Sequence, residues 1–210
     1  MILKDRADIV EWLIKYNISD YTLIEDAQYG YVVNTYGSVD LSGQKLTHLL
    51  VKFHIVQGHF DCSNNELFSL EGSPTRVLGS FICNNNNLTS LKYGPKEVSR
   101  SYHCYENKIT TLEGSPILIE YGFYCGDNKL TTLRHCPQFV NGSFYCDNNE
   151  LITFEFIPEH IHGFFYCGDN PGIEQGAYKF DKIQEISKIH REKSLIERIQ
   201  CSKISKINKL

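Results

Sequence analysis

Cysteine recurs at a constant spacing in this 210-residue chain, and its side chain can do several kinds of chemistry. A thiolate can act as a nucleophile, bind a soft metal ion or form a disulfide. Each role needs a second group nearby: a cationic setting, a further ligand or a well-oriented partner thiol. Six cysteines follow one another at intervals of 21 residues: Cys62, Cys83, Cys104, Cys125, Cys146 and Cys167.

The residues around these cysteines do not supply the second group. Zinc sites use closely spaced ligand pairs, and the nearest candidate is the isolated pair His160 and His162. Cysteines on neighbouring strands would point their Cβ atoms in parallel, which is poor disulfide geometry. The spacing therefore predicts a buried column in which the thiols pack as small apolar groups, with no metal and no cofactor. Cys136 and Cys201 lie outside this column.

The cysteines belong to a longer repeat that holds several residue types in register. An aromatic residue stands two positions before each cysteine, and a leucine, isoleucine or phenylalanine follows at most of the fifth and eighth positions after it. Proline and then valine or isoleucine follow farther on. An earlier rung without cysteine, Gly37–Leu49, makes about seven rungs. The third position after each cysteine is always asparagine: Asn65, Asn86, Asn107, Asn128, Asn149 and Asn170.

This pattern resembles the leucine-rich repeat. It is similar to the compact repeats of the YopM and IpaH effector type, and more similar to small repeat proteins of bacteriophages and bacteria. The resemblance implies an α/β solenoid, a short leucine-rich-repeat stack with a parallel β-sheet. It divides the chain into an N-terminal helix and hairpin cap (1–36), the solenoid (37–172) and a basic C-terminal helical cap or tail (173–210).

Each column then has a physical role. A short strand near Phe144–Cys146 points alternate side chains to opposite faces, so Phe144 and Cys146 should face the core. Tyr145 and Asp147 should face outward. The asparagine should turn inward and bond backbone groups of its own and neighbouring rungs. The 21-residue period is short for a full helix on the convex side, so the proline segment should return in an extended conformation.

The two ends of the chain carry helix signals. A helix over Asp5–Tyr16 with Asp5 as its N-cap should come first, followed by a hairpin with its turn near Glu25–Tyr29. A helical segment with apolar residues at helical spacing should cover the rear of the solenoid. A capping-box signal at Ser194–Glu197 predicts a second helix with an apolar stripe, through which the chain could oligomerise.

Charge is unevenly distributed along the sequence. Residues 178–210 hold nine Lys or Arg and four Asp or Glu, a net charge of +5, so residues 1–177 carry −9 of the total of −4. The sequence has neither a signal-peptide pattern nor an apolar run of membrane-spanning length. We therefore expect a cytoplasmic protein without a membrane partner, located in the host cytoplasm if a phage encodes it.

Function should lie on the outward positions of the strand ladder, because solenoids bind partners there. We expect a non-enzymatic protein-binding module, since no phosphate loop, metal motif or catalytic triad is present. The phage resemblance implies that its partner is a host defence or regulatory factor that the chain inhibits. The expected protein-binding residues are His103, Tyr105, Tyr124, Tyr145, Tyr166, Asp127, Asp147 and Asp169.

Two alternatives remain open from the sequence. The basic C-terminal helices could bind nucleic acid or another anionic surface while the repeats serve as scaffold, or the chain could be an oligomerising structural protein. Nucleic-acid binding would weaken steeply with salt. Its residues would be Lys188, Arg191, Lys193, Arg198, Lys203 and Lys206.

Overall fold

The chain forms a β-solenoid of about six turns, each close to 21 residues long. A computed structural model describes residues 2–171, 177–179, 181–189 and 191–193. Within them, two sheets run along the length of the solenoid, and both consist mainly of parallel strands. Each turn contributes one short strand to each sheet, so the predicted repeat period is also the period of the structure.

Sheet A lies on the return side of each turn. It begins with an antiparallel hairpin, and the remaining strands are parallel. In spatial order, its strands are β1 (Tyr21–Asp26), β2 (Gly30–Thr35), β4 (Phe53–Val56), β6 (Arg76–Val77), β8 (Glu97–Val98), β10 (Leu118–Ile119), β12 (Phe139–Val140) and β14 (His160–Ile161).

Sheet B contains the strands that precede the cysteines. Its first seven strands are parallel and in register, and the eighth is antiparallel. In spatial order, its strands are β3 (Val39–Asp40), β5 (Phe60–Asp61), β7 (Phe81–Ile82), β9 (Tyr102–His103), β11 (Phe123–Tyr124), β13 (Phe144–Tyr145), β15 (Phe164–Tyr166) and β16 (Ala177–Lys179).

The predicted direction of the side chains in a rung is confirmed. Phe144 and Cys146 are fully buried, whereas Tyr145 and Asp147 are half-buried on the opposite face. The same alternation recurs in every rung of sheet B, because side chains alternate between the two faces of a strand. The six cysteines at 21-residue spacing are free thiols, buried between the aromatic and leucine columns.

The asparagine column joins successive rungs, as the sequence predicts. The Oδ1 atom of Asn65 accepts a hydrogen bond from the Leu46 amide of the preceding rung, at 2.9 Å. Its Nδ2 atom lies 2.8–3.1 Å from the carbonyl oxygens of Leu41, Cys62 and Ser63. The other five asparagines repeat this arrangement, so each satisfies backbone groups of its own rung and of the one before it.

An inner stack of aromatic rings runs through the core of the solenoid. It begins at Trp12 of the N-terminal helix, whose ring centroid lies 6.2 Å from that of Phe53. It continues through Phe53 and the aromatic column of sheet B to Phe165, with centroids 5.0–5.7 Å apart. Aromatic pairs at such distances add to the free energy of burial.

The solenoid is the confirmed part of the predicted fold class, whereas the α/β label is not confirmed. Residues 37–171 contain no helix. Each return segment forms a strand of sheet A, with its valine or isoleucine buried, as at Val77 and Ile119. The sequence predicts an extended return but not the second sheet. The dihedral preference of an extended segment does not show whether it pairs with its neighbours.

The predicted elements before the first rung are present. Helix α1 (Arg6–Lys15) is N-capped by Asp5, whose carboxylate accepts hydrogen bonds from the Ala7 and Asp8 amides at 2.8 and 3.3 Å. Trp12 and Leu13 are buried in the core. The hairpin of β1 and β2 turns at residues 27–29, within the predicted turn.

Two short helical stretches, 181–189 and 191–193, lie after the last described rung. Ile183 is fully buried, Ile186 is half-buried and Ile189 is exposed. The Gln184 side chain donates to the Glu159 carbonyl oxygen at 3.4 Å. The second predicted helix, from Ser194 onward, lies outside the described residues.

The asparagine column generates a stability prediction. We expect Asn65→Asp to lower the free energy of unfolding by about 3 kcal/mol or more, because a carboxylate cannot donate to the three carbonyl oxygens around it. Urea denaturation followed by circular dichroism measures the change.

The adjacent residue provides the matched control. Asn64 is exposed, and its Oδ1 atom accepts from Asn85, a role that a carboxylate can also fill. Asn64→Asp should shift the unfolding free energy by about 0.5 kcal/mol or less. Equal losses in the two variants would show that the inward bonds of Asn65 do not stabilise the fold.

A second prediction concerns Tyr102, the one tyrosine in the aromatic core column of sheet B. Its fully buried hydroxyl has no hydrogen-bond partner among the described residues. Gly94 makes room for it, since a Cβ atom there would lie 2.8 Å from the Tyr102 oxygen. Tyr102→Phe should therefore raise the free energy of unfolding by about 1 kcal/mol or more.

The same contact predicts coupling between the two positions. Other rungs combine phenylalanine with a larger residue at the glycine position, for example Phe81 with Ser73. Gly94→Ser should lower the free energy of unfolding of the wild type. It should lower that free energy much less in the Tyr102→Phe background. An equal cost of Gly94→Ser in both backgrounds, measured by urea denaturation, would contradict this steric account.

Candidate functional site

An outer stack of four aromatic rings lies on the exposed side of sheet B. Parallel pairing brings His103, Tyr124, Tyr145 and Tyr166 into register on strands β9, β11, β13 and β15. Their ring centroids are 4.5, 4.7 and 4.3 Å apart, and neighbouring planes differ by only 3–15°. Four residues that are far apart in the sequence thus form one continuous feature.

Neighbouring rings of the outer stack cover each other's faces. A partner would therefore meet ring edges and hydroxyl groups rather than an open ring face. The pKa of Tyr145 is raised, first by burial and then by the neighbouring Tyr166 and Tyr124, while a hydrogen bond with Ser143 acts in the opposite direction. The Tyr145 hydroxyl therefore stays protonated at neutral pH and can both donate and accept hydrogen bonds.

His103 forms the first ring of the outer stack and makes a second aromatic contact. Its ring lies edge-on to Tyr105, with centroids 6.3 Å apart. Burial lowers the pKa of His103, and the negative charge of Asp61 partly offsets this effect. The ring is therefore neutral at physiological pH.

The second position after each cysteine is a left-handed turn residue. Its φ angle is 49–54° in the six rungs with a column cysteine. Asparagine and aspartate tolerate this conformation better than most residues, which explains five of the six residues. Asp127 and Asp169, predicted as binding residues, occupy this column, and both are exposed. The Asn148 side chain donates a hydrogen bond to the Asp127 carboxylate.

Asp147 lies half-buried beside this turn column. Burial raises the pKa of its carboxyl group, and the negative charges of Asp127 and Asp169 raise it further, against a backbone hydrogen bond that lowers it. A Cβ atom at Gly126 would lie 3.1–3.2 Å from the Asp147 carboxylate oxygens, so glycine there makes room for them. We call Asp127, Asp147 and Asp169 the carboxylate cluster; burial and the two neighbouring charges disfavour the ionised form of Asp147.

The outward positions of sheet B have a single sign of charge. Three of them occur in each rung: directly before the cysteine column and one and two residues after it. Across seven rungs, these 21 positions contain no Lys or Arg. They hold six carboxylates: Asp40, Asp61, Glu106, Asp127, Asp147 and Asp169. We call these 21 positions, which include the outer stack, the acidic aromatic face.

The structure brings the predicted protein-binding residues onto this one face. Three of the residues predicted for nucleic-acid binding are exposed on the C-terminal helical stretches: Lys188, Arg191 and Lys193. The other three predicted basic residues, Arg198, Lys203 and Lys206, lie outside the described residues.

Sequence reasoning missed a second surface, on the outside of sheet A. Leu118 and Phe139 pair in register on β10 and β12 and are 42% and 40% exposed. Ile117 and Tyr121 are exposed near them. An apolar residue directly before the buried valine or isoleucine column was the available signal, since alternate residues of a strand face opposite sides.

The surroundings of the buried cysteines do not activate their thiols. Burial raises the pKa of Cys136, outside the column, and of Cys167, within it, to about 12. It also raises the pKa of the other five column thiols well above the usual range. Thiols in this state are poor nucleophiles. Among the residues that the structure describes, no three His, Cys, Asp or Glu side chains gather at a metal-binding distance.

No protein-family model matches the chain, and comparisons with curated proteins and with solved structures give no significant match. Within the described ranges, the helices are too short or too polar to cross a lipid bilayer.

The outer stack leads to a pH prediction. Because burial lowers the pKa of His103 in the folded state, the unfolded chain binds the proton more readily. The free energy of unfolding that depends on neutral His103 should therefore be fully present above about pH 6.5, the pKa of histidine in the unfolded chain. It should be lost as the pH falls below that value. His103→Tyr should lose less stability between pH 7.5 and 5.5 than the wild type.

Comparison of the two proteins isolates this group, because the other titrating residues are shared. Thermal unfolding at several pH values measures the difference. If both proteins lose the same stability over this range, His103 is not held neutral in the outer stack.

Proposed function

We propose that the chain is a non-enzymatic protein-binding module whose acidic aromatic face recognises a basic surface on another protein. One observation carries the proposal: an ordered stack of His103 and three tyrosines lies on a face with six carboxylates and no Lys or Arg.

The outer stack is already ordered before a partner arrives. The two middle rings of the outer stack, Tyr124 and Tyr145, contact a neighbouring ring on both faces. They therefore have little rotamer freedom to lose on binding. Preorganised groups bind more tightly because less conformational entropy is lost. Tyrosine also combines a large apolar surface with a hydroxyl, and for that reason it is common at interaction hot spots.

The carboxylate cluster favours a cationic partner. Asp147 is half-buried between like charges, which raises its pKa and makes its ionised form unfavourable. An arginine or lysine placed beside it would remove that penalty and gain a charge-assisted hydrogen bond. The single sign of charge across the face would also speed association with a basic surface.

The leucine-rich-repeat resemblance supports the finer parts of the proposal. Helix α1 and the hairpin of β1 and β2 would cap the first rung, because Trp12 and Leu13 bury its apolar end. If a phage encodes the chain, its partner would be a host defence or regulatory factor in the cytoplasm, and binding to a functional basic site would inhibit it.

Two competing proposals rest on the C-terminal residues. Exposed Lys188, Arg191 and Lys193 favour an anionic partner such as nucleic acid. Labelled duplex DNA would then bind with an affinity that falls steeply as salt rises, and Lys188→Ala with Arg191→Ala would weaken it. Oligomerisation through the same region would appear as a concentration-dependent mass in sedimentation.

A single substitution at Asp147 should change stability and partner binding in opposite directions. Asp147→Asn keeps the shape of the side chain and removes its charge from the cluster. Because the folded state raises the pKa of this carboxyl, the charge destabilises the fold at neutral pH. We expect Asp147→Asn to unfold at a higher urea concentration than the wild type but to bind its partner about tenfold more weakly.

Partner binding is measured by affinity purification from host lysate with quantitative mass spectrometry, followed by titration of the recovered protein. Tyr145→Ala should also reduce recovery about tenfold. Leu118→Ala, on the outside of sheet A, is the control and should recover the partner as the wild type does. Equal recovery by all four proteins, or loss only with Leu118→Ala, would refute this use of the acidic aromatic face.

A further inference from the structure

The first strand of sheet B has an edge that no strand among the described residues pairs. In this sheet, alternate residues of each strand bond to opposite neighbours. On β3, the Val39 and Leu41 amides donate to the His59 and Asp61 carbonyl oxygens at 2.8 and 2.7 Å. Asp40 therefore directs its amide and carbonyl groups away from β5, toward the open side.

The equivalent carbonyl groups in the following rungs are all used. In the second rung, the carbonyl oxygens of His59, Asp61 and Ser63 accept bonds from the rung before. The corresponding groups of the first rung are those of Ser38, Asp40 and Ser42. Ser42 receives the Gln44 side chain at 3.1 Å. The Ser38 and Asp40 carbonyls have no backbone donor among the described residues.

At the other three sheet ends, the chain adds a strand or a side chain beside the outermost rung strand. The hairpin of β1 and β2 extends sheet A at the front, and β16 extends sheet B at the rear. At the rear of sheet A, the Gln184 side chain reaches the Glu159 carbonyl oxygen. At β3, by contrast, the edge borders a groove.

This groove has a volume of about 570 Å³. One wall is the end of helix α1 and the turn after it, residues 15–18. The other wall is the first rung, which contributes every second residue: Ser38, Asp40, Ser42 and Gln44. That alternation is what the open edge of a strand presents, since residues on the other side of the zigzag face β5.

The charges along the groove define the side chains that it would accept. Two hydrogen bonds from Ser42, at 2.7 and 2.9 Å, hold the Asp40 carboxylate and lower its pKa, so it stays ionised. Asp61 follows it in the same outward column. Lys15 lines the opposite wall. A basic side chain suits the outward position beside Asp40, and an acidic one suits the Lys15 side.

We propose that this groove binds an extended peptide segment of another protein, which adds to sheet B as a further strand beside β3. Its backbone donates to the Ser38 and Asp40 carbonyl oxygens and accepts from the Asp40 amide. A basic side chain of the segment lies next to Asp40, at the front end of the acidic aromatic face. Recognition here is through the main chain, as in other cases of strand addition to a sheet edge. It is therefore separate from recognition by the outer stack.

A peptide selection with the full-length protein tests this site. The probe is a displayed library of random octapeptides, and each selected peptide is synthesised and titrated by fluorescence anisotropy. Asp40→Pro removes the amide donor at an edge position where proline is tolerated. Asp40→Asn keeps that donor and changes only the charge. We expect Asp40→Pro to weaken binding about tenfold or more, and Asp40→Asn to weaken it less.

Hydrogen exchange gives a second readout that does not depend on how well Asp40→Pro folds. A bound strand should slow exchange of the Asp40 amide in the wild type, with no change at the Asp61 amide, which already faces β3. Failure to select any peptide would overturn the proposal, as would peptides that leave Asp40 exchange unchanged. Peptides that lose binding only with Tyr145→Ala would support the outer stack and overturn the edge site.

Discussion

The solenoid depends on one repeated interaction, the inward asparagine that bonds two rungs at once. At every turn, the chain leaves sheet B through a left-handed residue, and backbone carbonyl groups beside that residue are bonded by the asparagine side chain. Each asparagine Nδ2 meets three of these oxygens, and each Oδ1 accepts an amide of the rung before it. Buried backbone groups without partners are costly. The column therefore stabilises each turn and also holds neighbouring rungs at strand spacing.

That spacing produces two aromatic stacks from the same strands. Rungs about 4.8 Å apart place equivalent rings within contact distance, both inside and outside sheet B. The inner stack, from Trp12 to Phe165, is part of the core. The outer stack, from His103 to Tyr166, lies on the opposite face of sheet B. Its half-buried rings therefore remain accessible at their edges, and they adjoin a carboxylate cluster that would be more stable beside a cation.

The repeat restricts some outward positions and leaves others free. The second position after the cysteine adopts a positive φ angle, which is a structural reason for Asn and Asp there. The positions directly before and after the cysteine have no such restriction. The residue directly before the cysteine column therefore changes between rungs, from Asp40 and Asp61 at the front to Tyr145 and Tyr166 at the rear. This change gives the two ends of the face different side-chain chemistry.

The sequence alone determined the period, the inward columns, the asparagine bonds, the first helix and the outward direction of the tyrosines, because each of these follows from local geometry repeated every 21 residues. Only the tertiary structure decided what depends on the distance between segments. It paired the return segments into a second sheet, oriented the outer rings face to face, matched Gly94 to Tyr102 and left the edge of β3 open beside helix α1. Residue types show which face a side chain occupies. Contacts between rungs and at the ends of a sheet depend on the relative positions of segments that are distant in the sequence.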